Sequence, residues 1–239
     1  MRKKLLATIG LCVCTAFSFC ACGLLGKEPE PTTPPSVNNG LSASVKVGNK
    51  TYFSVDGRGF AEDFPTEDVL DGEGRAVRAV DYLLYGKEKR LIEGYSEYEY
   101  DEAGNIKVRI KYDTLGNFVA EYRYETDEKF GKPSEISVYN SDGGLESRTE
   151  YTYVRVITPN RDPGYVYTEK TVTEYDGQGA LIGTCEYEYY EQSDGSPKTK
   201  TYRDADGNIT ISYDFDETGD YSYLHIYENG EEVETKKIG

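Results

Sequence analysis

The sequence predicts an all-β protein: an antiparallel meander of about 10–14 strands, built from hairpin repeats of about 12 residues, forming a wide curled or partly closed single sheet. Three observations predict it. An aromatic–Asp/Asn–x–x–Gly unit recurs, as in Tyr100-Asp101-Glu102-Ala103-Gly104 and Tyr112-Asp113-Thr114-Leu115-Gly116. Its glycines fall 12 residues apart from Gly104 to Gly116, Gly131 to Gly143, Gly195 to Gly207 and Gly207 to Gly219. Between units, apolar and polar residues alternate with the period of a strand.

The chain opens with Arg2-Lys3-Lys4 and an uncharged run from Leu5 to Gly26. A basic start before an apolar core reads as an export signal. Phe19-Cys20-Ala21-Cys22-Gly23 resembles a lipobox, in which a small residue precedes the lipidated cysteine. Ala21 makes Cys22 the expected lipid acceptor, and the bulky Phe19 makes Cys20 the poorer one. The alternative is an uncleaved anchor, since about 20 apolar residues span a bilayer. Both readings place the residues after Lys27 outside the cytoplasmic membrane, in a bacterial cell envelope. Residues 1–22 are therefore assigned to a signal peptide and residues 23–44 to a Pro/Glu-rich linker. Glu28-Pro29-Glu30-Pro31 and Pro34-Pro35 favour extended chain and suit a tether.

Four of the five cysteines lie in the signal, and Cys185 alone remains, so no internal disulfide is expected. The formal charge is −16, and loss of the three basic signal residues leaves 24 basic against 43 acidic residues, or −19. Such a surface opposes binding to nucleic acid, where positive charge on phosphate dominates affinity.

Residues 45–94 form an N-terminal β region expected to cap the sheet. Val45, Val47, Tyr52 and Ser54 alternate around a turn at Gly48-Asn49. Ala76–Tyr85 and Arg90–Tyr98 suggest a hairpin around Gly86-Lys87, and Phe60–Gly74 reads as a loop or a short helix. Residues 95–239 form the repeat domain, with about ten to twelve strands. In each unit the Asp or Asn bonds its own backbone two residues on, and the glycine supplies a positive φ. Gly104, Gly116, Gly143, Gly179, Gly207 and Gly219 are the expected turn glycines. Alternation predicts Ile106, Val108, Ile110, Tyr122, Ile209 and Ile211 buried, with Lys107, Arg109, Lys111, Arg123 and Thr210 solvated. Because the period of 12 is even, successive aromatics are expected to keep their phase.

Tyr-Asp-x-x-Gly-Asn units on tyrosine-rich strands resemble the YD repeats of RHS-type bacterial surface and toxin-shell proteins, best over Tyr100–Tyr124. The resemblance implies a winding or curling sheet, an extracellular setting and no catalytic residues in the repeats. The long shell and variable toxin tip of that group are not visible in this sequence. Tyr227-Glu228-Asn229-Gly230 is similar to the turn of MORN-type repeats.

No catalytic constellation stands out. His225 is the only histidine, and serine chemistry needs a base oriented by an acid. Asp204, Asp206 and Asn208 imitate the start of a calcium loop, but Phe215 stands where the bidentate glutamate belongs. No cofactor and no metal are expected. The 23 tyrosines are the functional candidates, as a packed core or as a half-exposed recognition row. Tyr187, Tyr189, Tyr221 and Tyr223 are the candidate binding surface. The expected function is non-catalytic binding of a glycan or an envelope protein by a membrane-anchored lipoprotein. A purely structural spacer is the alternative, and a glycan-active enzyme the distant third.

Overall fold

A computed structural model describes residues 41–83, 91–159, 162–191 and 195–238. The signal, most of the linker and the Gly86-Lys87 turn lie outside them. Three short strands and one of ordinary length come first: β1 (Val45–Val47), β2 (Lys50–Ser54), β3 (Val69–Leu70) and β4 (Ala76–Leu83). The meander comes next as β5 (Leu91–Tyr100), β6 (Ile106–Asp113), β7 (Phe118–Asp127), β8 (Lys132–Tyr139), β9 (Leu145–Ile157) and β10 (Tyr165–Asp176). It continues as β11 (Leu181–Tyr189), β12 (Pro197–Asp204), β13 (Ile209–Phe215), β14 (Tyr221–Glu228) and β15 (Glu231–Lys237). All belong to one 15-stranded sheet, in which β5 to β15 pair strictly in chain order. The sheet is antiparallel except where β2 runs parallel to the start of β5. It is not closed into a barrel: β15 pairs with β14 among the described residues, and β1 with β2. The count passes fourteen because β1 to β4 join the same sheet. Phe60–Gly74 is loop apart from β3 and a bridge from Phe60 to Ser42, with no helix.

The repeat unit is one hydrogen-bonded turn used many times. At Asp113 the side-chain Oδ1 accepts from the backbone N–H of Leu115 at 2.9 Å and of Asn117 at 2.8 Å. The Gly116 N–H donates to the Asp113 carbonyl at 3.1 Å. The same bonds recur at Asp71, Asp101, Asn140, Asp176, Asp204 and Asp216. The Asp71 turn lies ahead of the repeat domain, where Leu70 replaces the aromatic and hid the unit. The glycines take left-handed φ: 84° at Gly104, 79° at Gly116, 75° at Gly143, 82° at Gly179, 83° at Gly207 and 86° at Gly219.

Each of these turns is succeeded by a β-bulge. Tyr112 faces Phe118 while Lys111 faces Ala120, so Val119 is an extra residue. Lys107, Glu146, Ile182, Thr210 and Ser222 are extra in the same way. A bulge bends its strand and adds right-handed twist. It also breaks parity: Tyr100 shares a face with Tyr98 and Arg109, and Tyr112 lies on the opposite one. Aromatics 12 residues apart therefore do not keep their phase.

The face assignment needs the same correction. Ile106, Val108, Ile110, Tyr122, Ile209 and Ile211 are all only half-buried. Tyr122 pairs with Arg109, across the sheet from Ile110. Arg109, expected in water, is 9% exposed. Its Nη2 donates to both oxygens of Asp81 at 3.1 Å and its Nε to Ser96 Oγ at 2.8 Å. Lys107 and Arg123 are exposed, while Lys111 and Thr210 are half-buried. Among the described strands contacts run between sheet neighbours, and away from the Phe60–Phe64 loop most side chains of both faces are half-buried. A buried guanidinium is tolerated because carboxylate and hydroxyl partners surround it.

Among the described residues, a compact hydrophobic cluster lies where the N-terminal region meets the meander. Tyr52, Phe60, Phe64, Val80 and Ile92 form it, with Val45, Val47, Tyr82 and Tyr95 packed around them. Ile92 is fully buried, worth about 1.5–3 kcal/mol. Elsewhere rings and cations stack laterally. Arg123 lies 4.2 Å over Tyr139, Arg148 lies 4.4 Å over Tyr175, and Tyr95 stacks on Tyr112 at 4.9 Å.

Candidate functional site

The Arg109 face carries an ordered set of tyrosines. Every second strand places an i, i+2 aromatic pair on it: Tyr98 and Tyr100 on β5, Tyr122 and Tyr124 on β7, Tyr151 and Tyr153 on β9. Tyr187 and Tyr189 stand next on β11, then Tyr213 and Phe215 on β13. Register fixes this. Tyr98 and Tyr122 both face Arg109, Tyr151 faces Val172 and Tyr153 faces Glu169. Val172 in turn faces Cys185, and Lys200 lies between Tyr187 and Tyr213. The nine tyrosines are half-buried and Phe215 is buried. The intervening strands place Arg109, Glu169 and Lys200 among the rings, and β8 places Ile136 and Val138.

Glu169 is the chemical centre of this lane. Burial pushes its carboxyl above the usual range, and Lys132, Lys200 and a hydrogen bond from Tyr187 pull it back. The Lys200 ammonium lies 5.2 Å from the Tyr187 ring and 4.9 Å from the Tyr202 ring. Lys132 lies 5.6 Å from the Tyr153 ring. The Tyr189 hydroxyl donates to the Glu169 carbonyl at 2.6 Å and meets Thr168 Oγ1 at 3.0 Å. Burial pushes the Tyr153 and Tyr189 phenols up to about 12, and the Tyr187 phenol higher still. These hydroxyls stay protonated and donate within the sheet, Tyr153 to the Pro133 carbonyl at 2.6 Å and Tyr187 to the Glu169 carboxyl. Aromatic rings, a carboxylate acceptor and ammonium donors thus converge on one face, the mixture that binds polyhydroxylated ligands.

Of the four tyrosines singled out by sequence, Tyr187 and Tyr189 lie in this lane, their rings 6.4 Å apart and nearly parallel. Tyr221 reaches the same face, 4.6 Å from Phe215 and 5.3 Å from Tyr213. Tyr223 does not: the extra residue Ser222 turns it to the other face, 42% exposed beside His225. His225 sits between carboxylates, Nε2 at 3.3 Å from Asp214 and Nδ1 at 3.2 Å from Glu232. Asp204 spends Oδ1 on the backbone of its own turn. Burial lifts the Cys185 thiol to about 11. Cys22 lies outside the described residues. Sequence reasoning missed Glu169, Lys200 and the pairing of tyrosines. The signal was present as Tyr-x-Tyr at 98–100, 122–124, 151–153 and 187–189.

No family model matches the chain, and no curated protein matches it. Among solved structures it is similar to a porin-like protein from Bacteroides uniformis ATCC 8492, at 12% identity and a TM-score of 0.31, over 70% of this chain and 86% of that one. A TarM mutant of S. aureus in complex with Fondaparinux, alpha-GlcNAc-glycerol and UDP aligns over 50% of this chain and 19% of its own, at 12% identity and a TM-score of 0.23. The TcdB2-TccC3-Cdc42 complex aligns over 75% of this chain and 12% of its own, at 10% identity and a TM-score of 0.23.

Proposed function

We propose that the chain is a bacterial envelope lipoprotein, anchored through Cys22, whose non-catalytic YD-like repeat sheet binds a glycan along its tyrosine lane. The observation that carries this is the convergence of Tyr153, Tyr187, Tyr189, Lys200 and Glu169 on one face of the sheet. Ring faces suit the apolar side of a sugar, and carboxylate and ammonium suit its hydroxyls. The excess of acid turns away nucleic acid and polyanions. The test is titration of the full exported chain, in detergent, against a panel of envelope and plant glycans. Tyr187→Ala is expected to weaken binding at least tenfold. Wild-type protein that binds none of the panel refutes the reading.

The opposite face favours a second reading, a spacer. There Tyr139 and Tyr175 are stacked under Arg123 and Arg148 and serve as lateral glue. A spacer predicts that the Tyr187→Ala cell phenotype tracks thermal stability alone.

A further inference from the structure

We infer that the glycan of the tyrosine lane presents a sugar with a single carboxylate, held by the ammonium of Lys200 with Lys132 as the second positive charge. The inference rests on the proposed glycan function and names its substrate class. Ring stacking alone is indifferent to charge, so the polar groups of the site decide. The phenols of Tyr153, Tyr187 and Tyr189 have one proton each. All three are spent inside the sheet, on the Pro133 carbonyl, the Glu169 carboxyl and the Glu169 carbonyl. The donors these residues leave for a ligand are the ammonium protons of Lys132 and Lys200. Lys200 lies between two rings, 5.2 Å from Tyr187 and 4.9 Å from Tyr202, so a sugar stacked on either ring brings its substituents to that ammonium.

The two lysines also stand apart from the other cations. Among the described residues Arg75, Arg78, Arg109, Lys111, Arg148 and Arg203 are half-buried or buried, and each is in an ion pair. Lys132 and Lys200 are half-buried with rings for neighbours and no ion pair among those residues. Partial burial without a counter-ion costs free energy that a ligand's anion recovers. Glu169 on β10 feels both, Lys132 from β8 and Lys200 from β12. One carboxyl against two ammonium groups leaves a surplus of one positive charge. A single carboxylate matches it. A phosphate ester, at about −1.5 to −2, exceeds it. Acid lies off this spot: Glu121, Glu135, Glu150, Glu186 and Asp214 are on the opposite face. An isolated acidic sugar is therefore drawn to the lane, while a run of them meets the repulsion of a chain at −16.

The test is calorimetric titration of the full exported chain, in detergent, with a disaccharide ending in glucuronic acid and the same disaccharide ending in glucose. The acidic one is expected to bind about tenfold more tightly, the size of one charge-assisted hydrogen bond. That advantage should fade between about 0.05 M and about 0.5 M salt, since the site is only half-buried. Lys200→Gln should remove the advantage and keep the affinity for the neutral disaccharide, and Lys200→Arg should retain it. Glu169→Gln takes away the competing carboxylate and should raise affinity for the acidic disaccharide alone, a gain that no folding defect produces. Wild-type protein that binds both disaccharides alike overturns this inference and leaves the glycan reading intact. An acidic preference unchanged by Lys200→Gln and Glu169→Gln overturns it too, because the charge is then read elsewhere. Absence of binding by either disaccharide and by every glycan of the panel overturns both readings.

Discussion

Gly116 sits at a φ of 79°, and a Cβ built there would meet only the Tyr95 hydroxyl, 4.0 Å away. Space is available, so any penalty for a side chain comes from backbone conformation alone. Gly116→Val is expected to cost at least ~1 kcal/mol, read as a lower thermal midpoint. An unchanged melt would show that this turn tolerates left-handed valine. Gly94 is constrained differently: a Cβ there would lie 1.8 Å from the Tyr112 carbonyl oxygen, so the two backbones need its absence. Glu169 allows a test with a definite sign. Its folded carboxyl holds its proton to a higher pH than the unfolded one does. The folded state thus binds the extra proton between those two values, and its contribution to stability is lost as pH rises through that window. Glu169→Gln removes the titration. The variant should gain stability relative to wild type between acid and neutral pH, measured by denaturant unfolding at several pH values. A parallel pair of curves would place Glu169 in an environment like that of an exposed acid.

At the scale of the hairpin, the turn carboxylates act in the opposite direction. Side-chain and backbone hydrogen bonds from Asn105 hold Asp101 below the usual carboxylate range, and backbone bonds from Asn208 do the same for Asp204. Thr218 lowers Asp216. Depressed folded values give stability that is present above the unfolded carboxylate range and lost as pH falls through the folded one. Acid unfolding should therefore be shallower in a triple Asp101→Asn, Asp204→Asn, Asp216→Asn variant, monitored by circular dichroism. Asn140 already makes the same turn without a charge. An acid transition as steep as in wild type would remove these turns from its cause. Hairpins of this kind are legible in sequence because Asp and Gly act locally, within about five residues. The bulges are not. Lys107, Val119, Glu146, Ile182, Thr210 and Ser222 share no chemistry, so nothing in residue type marks the extra position. Parity is lost there, which is why Tyr221 and Tyr223 part company; Arg109, two residues past its bulge, keeps the face opposite Ile110, and what alternation could not show is its burial against Asp81 and Ser96. Tyr187 and Tyr189 were legible because the extra residue of β11, Ile182, precedes both of them.

For the whole molecule, the proposed attachment is testable apart from the fold. Cells fed a fatty-acid probe should label the wild-type chain and not Cys22→Ala. Equal labelling would move the lipid to Cys20 or leave an uncleaved anchor. The bulge after each turn has a further bearing on how such a chain grows. Each hairpin brings its own turn and its own extra residue, so neighbouring contacts set stability almost additively. Gain or loss of two consecutive strands preserves the facing of everything beyond it. Gain or loss of one reverses strand direction and exchanges turn ends downstream, bringing the cation-stacked tyrosines into line with the lane. Length variation in natural descendants of this gene should accordingly come in pairs of strands, since an odd insertion inverts every strand beyond it.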